Sequence, residues 1–235
     1  MNSAISHRGP DDWGIWSSEA NGIHFGHQRL SILDLTLRGH QPMVGTNGTV
    51  IVFNGEVYNF REIAKCHDYY DLRSNSDTEV ILRLYADLGE KCLQELNGMF
   101  ALAIWDNRRE KLFLARDRIG IKPLYYTTLN GIFAFSSEIK SLLTLPWVSR
   151  YLDEEALYHF LTFNKTSPPQ TMFKGIYKFQ PGYQMTVGSK GIENYESYWE
   201  VGLYEHLPET ELELEHLVLK ELHESVKYQM ISDVP

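Results

Sequence analysis

The chain has 235 residues, of which 43% are hydrophobic and 23% charged, and its formal net charge is −9. A chain of this length and composition can bury a hydrophobic core. The acidic balance argues against a nucleic-acid surface, because the basic residues are scattered and the longest basic run is Arg108-Arg109. No apolar stretch reaches the roughly 20 residues of a membrane span, and the two cysteines form no disulfide framework. We therefore expect a cytoplasmic protein with neither a nucleic-acid nor a membrane partner.

Short apolar runs alternate with turn signals through the first two thirds of the chain. Strands are predicted over 23–30, 49–53, 99–105, 111–116, 124–128 and 132–136, and helices over 77–89, 137–143 and 153–163. The last four strands are predicted to form one meander, with Asn130-Gly131 as a hairpin turn. Beyond Pro208, the residues Leu219, Leu222, Val226 and Met230 trace one helical stripe. Such a stripe usually packs on its own domain or on a neighbouring one.

Four polar or flexible residues have the chemistry of a site for an amino-acid amide. Arg29 can bind an α-carboxylate in bidentate fashion, and Asp77 can bind an α-ammonium. Asn54 and Gly55 follow a predicted buried strand and can donate hydrogen bonds to an oxyanion. Each of these residue types also has a common structural use: an arginine in a surface ion pair, Asn-Gly in a turn, aspartate as a helix cap. Only their combination favours a binding site.

The four histidines near the N-terminus do not have the spacing of metal ligands. They are His7, His24, His27 and His40, and no cysteine pair accompanies them, so no metal site is expected. Residues 7–12 are predicted to form a loop held by Arg–Asp pairing. No phosphate loop of the G-x-x-x-x-G-K-[ST] type is present.

Several motifs together resemble the N-terminal part of glutamine-hydrolysing asparagine synthetases, which are class II glutamine amidotransferases. The similar stretches, in family order, are HRGPDD (7–12), GHQRLSILDL (26–35), GHQPM (39–43), FNGEVYNFRE (53–62), SDTEVIL (76–82), LNGMFALAIWD (96–106), ARDRIGIKPLYY (115–126) and FSSEIKSLL (135–143). PQTMFKGIYKFQPGY (169–183), the YW at 198–199 and the closing ISDVP (231–235) resemble the lead-in to the second domain of that family.

The resemblance implies an α+β fold, a four-layer αββα sandwich of the N-terminal-nucleophile hydrolase type. It places a glutaminase domain at 1–185, and a linker with the first helix of the synthetase domain at 186–235. The chain begins six residues before HRGPDD and ends before the family's SGGxDS-type phosphate loop, so truncation at both ends is expected. The first strand of the sandwich would then be lacking, which would leave unpaired strand edges.

The family mechanism implies a cysteine at position one that attacks the glutamine amide, with its own α-amine as base. No such cysteine is present, and neither Cys66 nor Cys92 can replace it, so the chain alone is expected to be inactive. The implied glutamine pocket comprises Arg29, Leu30, Ile32, Leu33, Asn54, Gly55, Glu56 and Asp77, with Asn54 and Gly55 as oxyanion donors and Asp77 as the ammonium partner. No cofactor is implied for this chain; ATP and Mg²⁺ would belong to the synthetase domain.

The implied partners are L-glutamine and the synthetase domain of the same parent chain, and a homodimer is a further alternative. Two other functions stay open. One is an asparagine-synthetase-like amidotransferase that acts on another acceptor, because acceptor choice lies outside the glutaminase motifs. The other is a non-catalytic domain that binds glutamine or docks a partner. Glucosamine-phosphate synthase and amidophosphoribosyltransferase resemble the RLSILD and FNGEVYNF stretches less closely.

Overall fold

The computed structural model describes residues 1–202, 208 and 210–234. Part of the predicted linker, at 203–207 and 209, and the final residue of the ISDVP stretch lie outside the described residues. The strands are β1 (Asp12–Ser18), β2 (Ile23–Arg29), β3 (Met43–Val44), β4 (Val50–Val57), β5 (Gly98–Asp106), β6 (Lys111–Arg116), β7 (Tyr125–Leu129), β8 (Ile132–Ser136), β9 (Ile176–Lys178), β10 (Tyr183–Gly188) and β11 (Gly191–Ser197). The helices are α1 (Phe60–Cys66), α2 (Asp77–Leu88), α3 (Ile139–Leu142), α4 (Glu154–Phe163) and α5 (Glu211–Gln229).

A six-stranded antiparallel sheet in the order β11-β10-β6-β5-β4-β3 forms the centre of the described chain. Strand β4 is apolar on both faces, and its alternating side chains enter two different cores. Ile51 and Phe53 pack with the helices α1 and α2 in one core. Val50 and Val52 pack with residues of β2, β7 and β10 in the other. The central sheet is therefore covered by helices on one face and by further strands on the opposite face.

The second layer of strands consists of two separate sheets. One contains β1 and β2, and the other has the order β8-β7-β9. Among the described strands β2 pairs only with β1, and β8 pairs only with β7. A cavity of about 470 Å³ lies between β2 and β8, above the apolar face of β4 and β5.

The predicted meander is wrong, because its four strands divide between two sheets. β5 pairs with β6 in the central sheet, whereas β7 pairs with β8 in the second layer. The connection at 116–123 is fixed by Arg116, which donates from Nη1 to the Phe179 carbonyl at 2.6 Å and from Nη2 to the Gly120 carbonyl at 2.8 Å. These contacts redirect the chain into the other layer.

Strand β4 is longer than predicted, because it continues through Asn54, Gly55 and Glu56 to Val57. These residues form register pairs with β5, from Asn54–Ala101 to Val57–Gly98. The pairing with β5 overrides the turn preference of the Asn-Gly dipeptide. The sequence therefore continues as strand where local propensity favours a turn.

Helix α5 forms at the predicted place and begins with a capping box between Thr210 and Glu213. None of its residues is buried, and the stripe residues Leu222 and Met230 are 56% and 76% exposed. The stripe is therefore largely exposed within the described part of the chain. None of the described helices has the combined length and apolarity needed to cross a membrane.

Candidate active site

A cavity of about 210 Å³ lies between the end of β2, the loop that follows it, the open edge of β4 and the start of α2. All eight residues predicted from the sequence line this cavity: Arg29, Leu30, Ile32, Leu33, Asn54, Gly55, Glu56 and Asp77. They come from three separate segments of the chain, at 29–33, 54–56 and 77. The structure therefore brings together the whole predicted set, although their individual roles stay predictions.

Asp77 lies at the first turn of α2, with its side chain buried in the cavity wall. The helix is capped by Ser76, whose hydroxyl accepts the Thr78 N–H at 3.0 Å. The Asp77 Oδ2 atom accepts the Val57 N–H at 2.9 Å. The pKa of Asp77 is raised to about 7, mainly by burial, and the nearby charge of Glu56 acts in the same direction. No described lysine, arginine or histidine forms a salt bridge with Asp77, so this carboxylate is suited to a cationic ligand.

Glu56 is the second buried carboxyl group of the cavity. Burial raises its pKa, and the positive charge of Lys122 partly opposes that shift. Lys122 lines the same cavity. The cavity therefore holds two desolvated acidic groups, and a positively charged group bound between them would stabilise both ionised forms.

The outer edge of β4 is covered by side chains where β3 ends. Gln41 Oε1 accepts the Phe53 N–H at 2.7 Å, and His27 Nε2 contacts the Phe53 carbonyl at 3.0 Å. Two residues beyond Gly55, the Val57 N–H donates to Asp77. Because alternate residues of a strand direct their backbone groups to the same edge, Gly55 faces this edge as well. Its N–H therefore lies on the cavity side of β4.

Gly55 is required by the neighbouring strand rather than by access to the cavity. A Cβ atom at this position would lie 2.1 Å from the Met99 carbonyl oxygen and 2.6 Å from the Phe100 Cα. These distances are far below van der Waals contact, so a larger residue would push β4 and β5 apart. The sequence predicts Gly55 as a hydrogen-bond donor, whereas the close approach of β5 is the main reason for a glycine at this position.

Asn54 carries an amide nitrogen without a partner. Its Nδ2 atom is shielded from solvent and makes no hydrogen bond with any described residue. A buried donor left unpaired costs about 1–3 kcal/mol. This atom is therefore available to a ligand in the cavity.

Arg29 is buried and donates to three backbone carbonyls of the loop that follows β2. Nη1 donates to Thr36 O at 3.0 Å, and Nη2 donates to Leu33 O at 3.1 Å and to Asp34 O. The guanidinium thus fixes the cavity loop in place. Both hydrogens of Nη2 are engaged, so a bidentate contact with a ligand carboxylate would require one carbonyl to be released.

The expected Arg–Asp pairing within residues 7–12 is wrong. Arg8 pairs instead with Glu138, at 2.9 Å between Nη1 and Oε1. Asp11 accepts the Ser31 N–H at 2.7 Å, and Asp12 contacts His40 Nδ1 at the same distance. The segment is therefore tied to three distant parts of the chain, and Arg8 lines the cavity.

Neither cysteine lies at the cavity. Cys66 is exposed at the end of α1, and Cys92 is buried in the core between α2 and the central sheet. Burial raises the pKa of the Cys92 thiol to about 12, which keeps it protonated. The thiols of this chain are therefore not placed to attack a ligand in the cavity.

The C-terminal end of the described chain contacts the cavity loop. The Asp233 N–H donates to the Ile32 carbonyl at 3.0 Å, and Asp233 Oδ2 accepts the Asp34 N–H at 2.8 Å. Ile231, in the same segment, packs against the core beneath α2. The ISDVP stretch is thus tied to the loop that holds Ile32 and Leu33.

Sequence reasoning missed nine residues of the cavity wall, among them the polar residues His27, Gln41 and Lys122. All three lie within the motifs used above, but no local pattern distinguishes them. His27 lies two residues before Arg29 on β2, on the same side of the strand. This spacing is the only sequence signal that could have identified His27.

Comparison with known proteins first defines the class. The glutamine phosphoribosylpyrophosphate amidotransferase of B. subtilis, solved with ADP and GMP, superposes with a TM-score of 0.52 at 18% identity, covering 75% of this chain and 35% of that chain. At this identity the likeness concerns the fold alone. The described chain thus has the α+β sandwich fold of that amidotransferase.

Residues 1–199 match the family described as the glutamine amidotransferase domain. Asparagine synthetase [glutamine-hydrolyzing] 3 of Bacillus subtilis is 36% identical, over 100% of this chain and 38% of the relative. A putative asparagine synthetase [glutamine-hydrolyzing] 2 of Methanocaldococcus jannaschii is 35% identical, over 100% of this chain and 49% of the relative. Amidase chry2 of Gibberella zeae is 35% identical, over 98% of this chain and 35% of the relative.

The chain therefore belongs to the glutamine amidotransferase domain family, and it is homologous to the glutaminase part of asparagine synthetases. It spans between 35% and 49% of the length of these relatives.

Proposed function

We propose that this chain is the glutaminase portion of an asparagine synthetase, which releases ammonia from glutamine for the ATP-dependent amidation of aspartate. The observation that carries the proposal is the composition of the smaller cavity. A desolvated carboxylate, an unpartnered amide donor and the edge of β4 at Gly55 line it together. These groups match the ammonium and the side-chain amide of glutamine.

In this proposal the substrate ammonium binds Asp77, with Glu56 adding negative charge nearby. The amide oxygen lies against Asn54 Nδ2 and the Gly55 N–H. When a thiolate attacks the amide carbon, the carbon–oxygen double bond becomes an oxyanion that these two donors stabilise. The carbon–nitrogen bond then breaks with protonation of the nitrogen, and ammonia leaves a thioester. Water hydrolyses the thioester to glutamate and regenerates the thiol.

The attacking thiol has to reach the cavity from outside the described residues, since Cys66 and Cys92 lie elsewhere. We infer that the chain by itself binds glutamine without turnover. ATP and Mg²⁺ would act in the synthetase portion of the parent protein. The cavity has no phosphate loop, and the described residues contain no cluster of three possible metal ligands, so the residues of the cavity wall do not fit these groups.

A second candidate differs only in the acceptor of the ammonia. The similarity to amidase chry2 over 98% of the chain supports this alternative, because that relative is not named a synthetase. In both cases the ammonia would come from glutamine bound in the same cavity. Localisation in the cytoplasm and a homodimer are further expectations of the proposal.

The test is release of ammonia from glutamine, measured for the chain itself and for a version extended by an N-terminal strand that begins with cysteine. The proposal expects release only from the extended protein, and a cysteine-to-serine control should remove it. A folded, extended protein that binds glutamine without releasing ammonia would instead support a non-catalytic binding domain. Failure of both proteins to bind glutamine would contradict the proposal.

A further inference from the structure

Two buried polar atoms without partners lie next to the same cavity, and they have opposite hydrogen-bonding character. The Nδ2 atom of Asn54 and the Nδ1 atom of His27 are both shielded from solvent and unpaired among the described residues. Both residues line the glutamine cavity and also the larger cavity between β2 and β8. His27 contacts the carbonyl of Phe53, the residue before Asn54, so both residues belong to the same part of the cavity wall.

The contact with Phe53 fixes the tautomer of His27. A carbonyl oxygen can only accept, so the 3.0 Å contact requires the hydrogen on Nε2. Burial lowers the pKa of His27 to about 4, so the ring is neutral near pH 7. The Nδ1 atom therefore carries a lone pair and is an acceptor. Asn54 Nδ2, in contrast, is a donor.

We propose that His27 recognises the NH₂ group of the substrate carboxamide, and thereby distinguishes glutamine from glutamate. This inference rests on the proposed function and deepens it. A carboxamide presents one acceptor oxygen and one donor nitrogen, which match the Asn54 donor and the His27 acceptor respectively. The carboxylate of glutamate has no hydrogen to donate, so it places an oxygen against the His27 lone pair.

A pair of substitutions separates this role from the structural role of His27 at the edge of β4. In His27→Gln, the side-chain NH₂ can still donate to the Phe53 carbonyl, but no acceptor remains at the position of Nδ1. In His27→Asn, the side-chain oxygen lies near the position of Nδ1, but the contact with Phe53 is lost. The first variant keeps the structural contact, and the second keeps the recognition contact.

The experiment is calorimetric titration of wild type and both variants with glutamine and with glutamate. We expect the ratio of the two affinities to fall about tenfold in His27→Gln, the effect of one lost hydrogen bond. In His27→Asn it should stay within about twofold of wild type, while the melting temperature drops. An unchanged ratio in a folded His27→Gln variant would overturn the inference and leave the proposed function intact. No binding of either ligand to wild type would instead overturn the proposed function, and the inference with it.

A measurement on the ligand covers the case in which the variants do not fold. The methyl ketone analogue of glutamine keeps the carbonyl oxygen and replaces NH₂ with a methyl group. Wild type should bind this analogue about tenfold more weakly than glutamine. Equal affinity would show that the NH₂ group is not recognised, and would overturn the inference without any substitution.

Discussion

Replacement of Asp77 with asparagine should make the fold less sensitive to pH. The Asp77 carboxyl has a pKa of about 7 in the folded chain, against an ordinary value of 3.8. Between these values the folded chain holds a proton that the unfolded chain has lost. Stability therefore falls as the pH rises through this window, and it levels off above pH 7. Since one pKa unit corresponds to about 1.4 kcal/mol, wild type should lose about 3 kcal/mol from this group between about pH 5 and pH 8.

The assay is urea denaturation of wild type and Asp77→Asn at both pH values. The asparagine oxygen can still accept the Val57 N–H, so the backbone contact is kept. The variant should lose about 3 kcal/mol less than wild type over this interval. Asp71→Asn is the control: its carboxylate is 70% exposed and its ion pair with Arg83 lies at the surface, so this variant should lose nearly the same stability as wild type between the two pH values. Equal losses in wild type and Asp77→Asn would refute the reasoning.

The same variant should bind glutamine about 100-fold more weakly or not at all, because the substrate ammonium loses its buried partner. Asp77→Asn should therefore be more stable than wild type at pH 8 and bind glutamine more weakly. This combination is expected if the Asp77 carboxylate serves ligand binding at the expense of stability. A variant that gains stability and binds glutamine normally would show that the ammonium binds elsewhere.

Three further predictions concern the same cavity. Glutamine affinity should rise with pH through about 7 as Asp77 ionises, measured by titration calorimetry; a flat profile would contradict the pairing. Arg29→Lys should lower the free energy of unfolding by about 3 kcal/mol, because three carbonyls lose the guanidinium donors. The control is Arg61→Lys at an exposed position, which should change the free energy of unfolding in urea little. Gly55→Ala should strongly lower the melting temperature, because its Cβ would lie 2.1 Å from a backbone oxygen. Gly202→Ala should leave it unchanged, because a Cβ there would meet no described atom within 4 Å. Equal melting temperatures for the two glycine variants would refute this account of β4 and β5.

Local sequence patterns correctly predicted those strands and helices whose formation depends on residues close in the sequence. β6 and β8 match their predicted bounds, and α2 begins at Asp77 as predicted. The extension of β4 through Asn54 and the departure of β7 from the central sheet depend instead on distant partners. No window of sequence contains the contacts of Arg116 with Phe179 or the pairing of β4 with β5.

The same distinction applies to the candidate site. Family motifs predicted the eight residues that share the cavity, but not the contacts between them. The three carbonyl bonds of Arg29, the close approach at Gly55 and the unpaired nitrogen of His27 depend on tertiary packing. The kinds of functional group in the cavity could therefore be predicted from residue types. Which of these groups are free to bind a ligand could not be predicted.

The most direct test of the account is to observe where glutamine binds. Two-dimensional amide NMR spectra recorded during a glutamine titration report the Gly55 backbone N–H and the Asn54 side-chain NH₂ separately. We expect both signals to shift and to saturate with one dissociation constant, while the signal of Gly202 stays in place. Binding that leaves the Gly55 and Asn54 signals unchanged would contradict the assignment of this cavity as the glutamine site.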